Sequence, residues 1–429
     1  MFSQFARPRP ACCWAFALLF IVNAACAVDF DEPRGPLTLD AAIAAALQRN
    51  PMLRSAEFEL RAVAERRGQA AQRPAPEVGI ELENLAGSGR LHGTESLETT
   101  LTLSQVIELG GKRAQRMAVA GFERDSTALE RDARQLDVLA TVTRRFIDVA
   151  ETQQQLLLAR SATALAAQTS ANIEQRVAAA RSPVAEQNRA AIALGRARLE
   201  EQKLTQQLLS AHRQLAALWG SAEPRFGDAQ ADLFELPAVA DFPVLMAKLA
   251  TQPGFLRFAS EARLRDAQWQ LAMAEAKSDI SIGAGLRRFE ETGDTGVVLN
   301  FSMPLPLANR NSGAIREAAI RREQVEVDHQ AALDTTQAAL FEFYQALQQA
   351  RLEVTTLRTE LIPQAEAALR QTQYGYERGR FSYLELVDAR RELLLMQREA
   401  IAGAATYHRL LAEIERLTRT PLAAEDLSS

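Results

Sequence analysis

LTLSQVIELGGKR (101–113) and VLNFSMPLPLANRN (298–311) are the two stretches whose reading decides the fold. Each begins as a strand. Apolar positions recur every second residue, at Leu101 and Leu103 in the first and at Leu299 and Phe301 in the second, the period of a sheet with two different faces. Each then meets a junction that a sheet interior does not tolerate: Gly110-Gly111 in one, Pro304 and Pro306 in the other. Both leave into long helical patterns. A strand turning sharply into an extended helix, twice in one chain, is a structural plan and not a catalytic motif.

Outward from the first junction, 112–180 contains no proline and one glycine, Gly121. At ~1.5 Å per residue this predicts a helix about 100 Å long. Phe122, Leu129, Leu136, Thr143, Ala150 and Leu157 fall on one heptad seam, with Ala133, Ala140 and Ile147 beside it, so the helix is expected to pack along a partner. Arg181-Ser182-Pro183 breaks the run, and 184–219 returns as a second helix, an unusually long αα-hairpin. The second junction leads into the same plan, a long helix over 310–376 and a return helix over 381–417. On the latter Leu386, Leu393, Ala400, Tyr407 and Ile414 are spaced by sevens.

Upstream of each junction the pattern also repeats. Thr38 or Asp40 can cap a helix over 41–48, Asn50-Pro51 interrupts it, and 53–72 resumes. EVGIELE (77–83) alternates Val78, Ile80 and Leu82 with Glu77, Glu81 and Glu83, which predicts a β-hairpin with 97–107. Its two readings are a half-buried strand of a soluble sheet and a barrel strand with one face in lipid and one in water. In the second half 249–253 echoes 47–51, and strands at 279–287 and 297–305 echo the first hairpin. The stretch 220–242 reads as a loop or a short packed helix. The domain organisation is therefore a repeat over 28–236 and another over 237–429. The fold class is mainly α with a small β part. Each chain supplies four strands, too few to close a membrane barrel of about eight or more, so copies must associate to remove the open edges. Three chains would bring twelve strands.

Composition narrows the function. The formal net charge is −5 and acidic and basic residues are interleaved, which argues against nucleic acid as a partner. All three cysteines lie at Cys12, Cys13 and Cys26. Arg7 and Arg9 precede an apolar run at 11–22 that is too short to span a bilayer, and small residues follow at 24–27. This is a signal peptide over 1–27, cleaved before Val28, or a lipoprotein signal with Cys26 as the acylated residue. The four histidines, His92, His212, His329 and His408, are scattered, and none pairs with another ligand at metal-site spacing. No nucleophile–base set or phosphate loop points to an enzyme or a cofactor. Charged helix faces such as 131–145 read either as tunnel lining or as interhelical salt bridges.

Four segments, in this order, resemble the TolC-like outer-membrane efflux proteins: LTLDAAIAAALQRNP (37–51), LSQVIELGGKR (103–113), LNFSMPLPLANRN (299–311) and YERGRFSYLELVDARREL (376–393). SQVIELGGKRAQR (104–116) is most similar to the heavy-metal branch, of the cobalt–zinc–cadmium (CzcC) type. The resemblance implies a homotrimer in which a twelve-stranded β-barrel in outer-membrane lipid continues into an α-helical tunnel across the periplasm. It also implies a periplasmic adaptor protein and a proton-driven inner-membrane pump of the RND class. The adaptor-contacting hairpin tips would be Arg181, Ser182 and Pro183 in the first repeat and Gly379, Arg380, Phe381 and Ser382 in the second. In the first tip Ala179 and Ala180 stand where a glycine is usual. Divalent heavy-metal cations are the expected cargo. Multidrug efflux or type I secretion is the rival within the channel class, and a periplasmic coiled-coil adaptor is the rival outside it.

Overall fold

The computed structural model describes residues 32–249, 252–305 and 311–418. The signal segment with Cys26, and Pro306 and Arg310 of the second junction, lie outside them. From Pro33 onward the chain forms one unit. Strand β1 (Gly35–Leu37) leads into α1 (Leu39–Arg49) and α2 (Pro51–Ala70), then β2 (Glu77–Glu83) and β3 (Glu98–Ile107). Helix α3 (Lys112–Ala178) runs unbroken for 67 residues, and α4 (Val184–Ala216) returns beside it. After β4 (Phe226–Ala229) the plan repeats as α5 (Phe242–Leu249), α6 (Pro253–Glu275), β5 (Ile280–Phe289), β6 (Thr295–Ser302), α7 (Ser312–Thr356), α8 (Ile362–Glu377) and α9 (Tyr383–Thr418). Among the described residues no helix is long and apolar enough to cross a membrane.

Local chemistry sets the helix ends. The Thr38 hydroxyl accepts the Ala41 N–H at 3.2 Å and so caps α1. The Asn50 carboxamide oxygen accepts the N–H groups of Met52 and Leu53 at the start of α2, with Pro51 at its first turn. The same buried Asn50 donates to the Leu218 carbonyl beyond α4. Its counterpart Gln252 donates to the Arg416 carbonyl in α9. The equivalent polar residue in each repeat thus ties the entry of the repeat to the end of its return helix.

The long helices pack as the repeat requires. Helix α3 lies against α2 and α6 over one part of its length and against α4 and α9 over another, while α7 packs on α6 and α9. On α9 the seam read from sequence is buried at Leu386, Ala400, Tyr407 and Ile414. On α3 the seam drifts. Ala140, Ile147 and Ala150 are buried, but Leu157 is 49% exposed, and Val142, Val149 and Leu156 form the packed row instead. A straight helix turns ~20° per heptad against a strict seven-residue repeat. Helix α3 also exchanges partners along its length, so one heptad cannot serve it throughout. Its charged face is largely engaged with α9: Arg144 with Glu413 at 2.6 Å, Arg409 with Asp148 at 3.0 Å and with Glu151, and Arg416 with Asp137 at 3.3 Å. The salt-bridge reading describes these groups.

Two features depart from the expected plan. The stretch 220–242 contains β4, which pairs in parallel with β1 and joins the start of the described chain to the middle. The segment after β4 is strapped to α9 by the Tyr407 hydroxyl, which donates to the Pro237 carbonyl, and by His408 Nε2 at 3.1 Å from the Leu233 oxygen. The second long helix is also not uniform: residues Leu357–Leu361 form a π-turn between α7 and α8. Pro363 accounts for it. Proline has no N–H and its ring crowds the carbonyl four residues back, and widening the preceding turn relieves both problems without ending the helix.

Candidate functional site

Strands β2, β3, β5 and β6 form one antiparallel sheet in the order β2-β3-β5-β6. Its registers align whole rows of like residues. Val78, Leu103, Ala284 and Leu299 share one row, and Ile80, Leu101, Leu286 and Val297 the next. This apolar face is bare: Ile80 is 71% exposed, Val297 74% and Leu299 80%. So large an exposed apolar face has no place in water. On the opposite face the rows read Glu77, Ser104, Gly283, Asn300 and then Glu81, Thr100, Arg287, Gly296. Arg287 is held by Glu83 at 2.7 Å, Glu98 at 3.0 Å and the Thr100 hydroxyl at 2.9 Å. Glu77 and Glu81 make no ion pair among the described residues. Of the two readings of EVGIELE, the barrel strand fits: one face suits hydrocarbon, the other an aqueous, acid-lined lumen. Strands β2 and β6 are the open edges.

The junction quoted at the outset joins this sheet to the helices. Gly110 and Gly111 both adopt positive φ, 76° and 74°. A Cβ on Gly110 would lie 2.6 Å from Lys277 Cδ and 3.1 Å from the Ala274 carbonyl, so the chain turns there directly against the end of α6. The turn is then locked from the other repeat. Asp279, just before β5, accepts the Leu109 N–H at 2.9 Å and pairs with Lys112 Nζ at 2.7 Å. Arg116 grips Glu108 through both guanidinium nitrogens and reaches the Gln72 carbonyl. Sequence inspection missed the part played by Asp279, since the pairing spans 167 residues and leaves no local mark.

At the far end of the long helices lie the two hairpin tips. The same backbone device ends α3 and α8. In the first tip the Arg181 N–H donates to the Arg176 carbonyl at 2.7 Å and the Ala180 N–H to Val177 at 2.9 Å. In the second the Arg380 N–H donates to Gly375 at 2.8 Å and the Gly379 N–H to Tyr376 at 3.0 Å. Both are Schellman motifs, with the left-handed residue at φ 58° in Ala180 and 72° in Gly379. The first tip therefore keeps the glycine geometry without the glycine, at a cost of roughly 1–2 kcal/mol for a residue with a Cβ.

The tips differ in their return. Ser382 and Glu385 form a capping box: the Ser382 N–H and hydroxyl donate to the Glu385 carboxylate at 2.6 and 2.9 Å, and the Glu385 N–H returns to the Ser382 hydroxyl at 3.3 Å. The Ser382 N–H, and then its hydroxyl, hold the Glu385 carboxyl below the usual carboxylate range. In the first tip Pro183 stands at the cap position and makes no such bond. Phe381 folds back over Gly375, where a Cβ would meet its ring at 2.1 Å. The S-x-x-E spacing is a signal of this cap that sequence reading passed over, and the Gly375–Phe381 contact leaves no local signal.

The two hairpins meet just beyond the tips. Tyr383 of α9 is buried against Ile173 of α3 and Ala190 of α4, with Val177, Tyr376 and Val387 around them. The Arg176 guanidinium lies over the Tyr376 ring at 5.0 Å, and Arg390 donates to the Thr169 hydroxyl at 2.6 Å. Burial pushes the Tyr376 and Tyr383 phenols up and the Arg390 guanidinium down from their ordinary values. The structure thus brings both sets of tip residues to one end of the molecule. The histidines stay apart: His212 packs on Phe226, His329 on Phe255 and Phe258, and His408 on its strap.

Two hairpin repeats capped by an amphipathic four-stranded sheet define a comparison that can be made by sequence. The family model of outer membrane efflux proteins matches residues 42–221 and 249–418, one region in each repeat. The chain belongs to the outer membrane efflux protein family. Among its relatives, the cobalt-zinc-cadmium resistance protein CzcC of Cupriavidus metallidurans is 29% identical over 84% of this chain and 85% of its own length. The nickel and cobalt resistance protein CnrC of the same organism is 27% identical over 74% of this chain and 73% of its own. Among solved structures, the fold is shared with CusC (TM-score 0.73, 18% identity, 91% of this chain and 98% of that one). It is shared also with the outer membrane protein VceC of Vibrio cholerae (TM-score 0.71, 18% identity, 89% of this chain and 96% of that one). This efflux protein is an outer-membrane channel whose helical part extends into the periplasm.

Proposed function

We propose that this efflux protein is the exit duct of a tripartite system that expels divalent heavy-metal cations. It acts as a homotrimer joined to a periplasmic adaptor and an inner-membrane proton-driven pump of the RND class. The observation that carries the cation reading is the sheet's polar face. Glu77 and Glu81 point to the same side, four residues apart on β2, and no arginine or lysine neutralises them among the described residues. In a trimer they form two rings of three carboxylates ~13 Å apart along the strand direction. Rings of carboxylates raise the local concentration of cations and repel anions without holding either tightly. The metal-resistance relatives support the same cargo.

The trimer follows from the edges. Four strands alternate in direction, so β6 of one copy meets β2 of the next antiparallel, and three copies close a twelve-stranded barrel with no edge left. The tips Arg181, Ser182 and Pro183, with Gly379, Arg380, Phe381 and Ser382, present the adaptor with two rigid turns at the periplasmic end. The test is growth inhibition by cobalt, zinc, cadmium, copper and a panel of drugs in a deletion strain and a complemented one. Sensitivity to divalent metals that complementation reverses is the expected result. Sensitivity confined to drugs would keep the channel and overturn the cargo.

A further inference from the structure

Among the described residues the polar face of the sheet carries one basic side chain, Arg287 on β5, and one place where two carboxylates stand directly opposite, Glu83 on β2 and Glu98 on β3. The two coincide. Arg287 places one terminal nitrogen 2.7 Å from Glu83 Oε2 and the other 3.0 Å from Glu98 Oε2, while its Nε donates to the Thr100 hydroxyl at 2.9 Å. The Asn84 carboxamide lies 3.5 Å from the second Glu98 oxygen. Glu83 Oε2 is buried and accepts no aligned hydrogen bond, so the guanidinium charge is what it has in place of water. Strand β3 runs from Glu98 towards the Gly110 turn and the helices, so this cluster stands at the end of the lumen farthest from the periplasm.

Spacing explains why these two carboxylates need a cation. Side chains directly opposite on antiparallel strands have Cβ atoms ~4.5–5.5 Å apart, and like charges there repel. The same approach lets both carboxylates reach one divalent ion, which zinc, for one, accepts from such oxygens at ~2.0–2.2 Å. Elsewhere on the face that geometry is missing. Glu77 stands opposite Ser104 and Glu81 opposite Thr100, so each offers a single carboxylate. A single carboxylate attracts a passing cation and lets it go, whereas a facing pair closes on it. The one pair able to chelate is therefore the one already filled, by a guanidinium tethered to the chain.

We propose that Arg287 is the resident counter-ion of the exit. It occupies the place a divalent cation would take between Glu83 and Glu98, and so lets the pore gather cations at Glu77 and Glu81 without trapping them at its mouth. This rests on the cation reading given above, and it makes Arg287 a residue that governs release, not a ligand of the cargo. An uncharged side chain in its place turns a filled pair into an open metal site, with the Thr100 hydroxyl alongside.

The experiment records the current through the purified full-length protein in a planar bilayer in potassium chloride while cadmium chloride is added, for wild type, R287M, R287K and R287M/E83Q/E98Q. The expected result is half-block of R287M at a cadmium concentration at least about tenfold below that needed for wild type, reversed by a chelator. R287K should behave as wild type does, and the triple variant should lose the block. If R287M does not insert, S104E takes its place: it sets an unguarded carboxylate opposite Glu77, away from Arg287, and should gain a cadmium block of its own. A cation-selective R287M pore that cadmium leaves open, or in its place such an S104E pore, overturns the proposal and leaves the cargo reading intact. Block of R287K equal to that of R287M overturns the charge argument, and a block that survives in the triple variant puts the trap elsewhere and overturns the proposal too. A wild-type pore that prefers chloride overturns the cargo reading itself, and this inference with it.

Discussion

Gly375→Ala should damage the second tip without destabilising the protein. Gly375 sits inside α8, where alanine ordinarily improves a helix by roughly 0.5–1 kcal/mol. Here the added methyl would lie 2.1, 2.6 and 3.1 Å from three atoms of the Phe381 ring. A ring held on its own short turn cannot yield by tenths of an ångström, so Phe381 must leave. Full burial of a phenylalanine side chain is worth about 1.5–3 kcal/mol. Phe381 is 43% exposed, so its displacement forfeits roughly half of that, on the order of 1 kcal/mol. That is enough to shift the ordered tip about fivefold towards disorder, and the substitution leaves the buried Tyr383–Ile173–Ala190 contact in place. Trimer level and melting temperature should therefore be unchanged or slightly higher, while metal resistance and tip cross-linking to the adaptor fall. Because both residues act through one contact, Gly375→Ala combined with Phe381→Ala should be no worse than Phe381→Ala alone. Full metal resistance in Gly375→Ala, or strictly additive losses in the double variant, would refute the argument that this contact shapes the docking tip.

Three further outcomes are expected. Leu299 and Asn300 are neighbours on β6 that face opposite sides of the sheet. Leu299→Arg should cost about 2–4 kcal/mol of insertion and deplete the outer-membrane fraction, whereas Asn300→Arg should insert normally, as membrane fractionation would reveal. Lys112→Met removes the cation that sits 2.7 Å from Asp279 and should lower trimer stability in denaturant by about 2 kcal/mol, with most of the loss in the junction. Burial pushes His408 below its ordinary value, so the unfolded chain binds the extra proton first. Stability should then be fully present above the ordinary histidine pKa and fall as pH drops below it. A melting curve of His408→Gln that keeps the same fall would exclude His408 as its source.

Much of this fold is written in the residues themselves. The sheet was legible because Val78, Ile80 and Leu82 alternate with Glu77, Gly79, Glu81 and Glu83, and the helices because prolines and glycines gather at their ends. What stayed hidden depends on partners. Strands β1 and β4 are three and four residues long, too short to show a period. Asp279 looks like any strand-flanking acid until Lys112 arrives from the other repeat. The helix over 310–376 was read straight through Pro363, but only the structure shows the π-turn that accommodates the proline.

In the proposed trimer, three copies enclose an acid-lined pore suited to divalent cations. Its most direct test is the reversal potential of the purified protein in a planar bilayer across a cobalt chloride gradient. The expected result is a pore that favours the cation, and a marked loss of that preference in Glu77→Gln/Glu81→Gln, while Glu83→Gln, whose carboxylate is paired with Arg287, changes it far less. A pore that prefers chloride, or one whose preference survives the loss of both free glutamates, would contradict it.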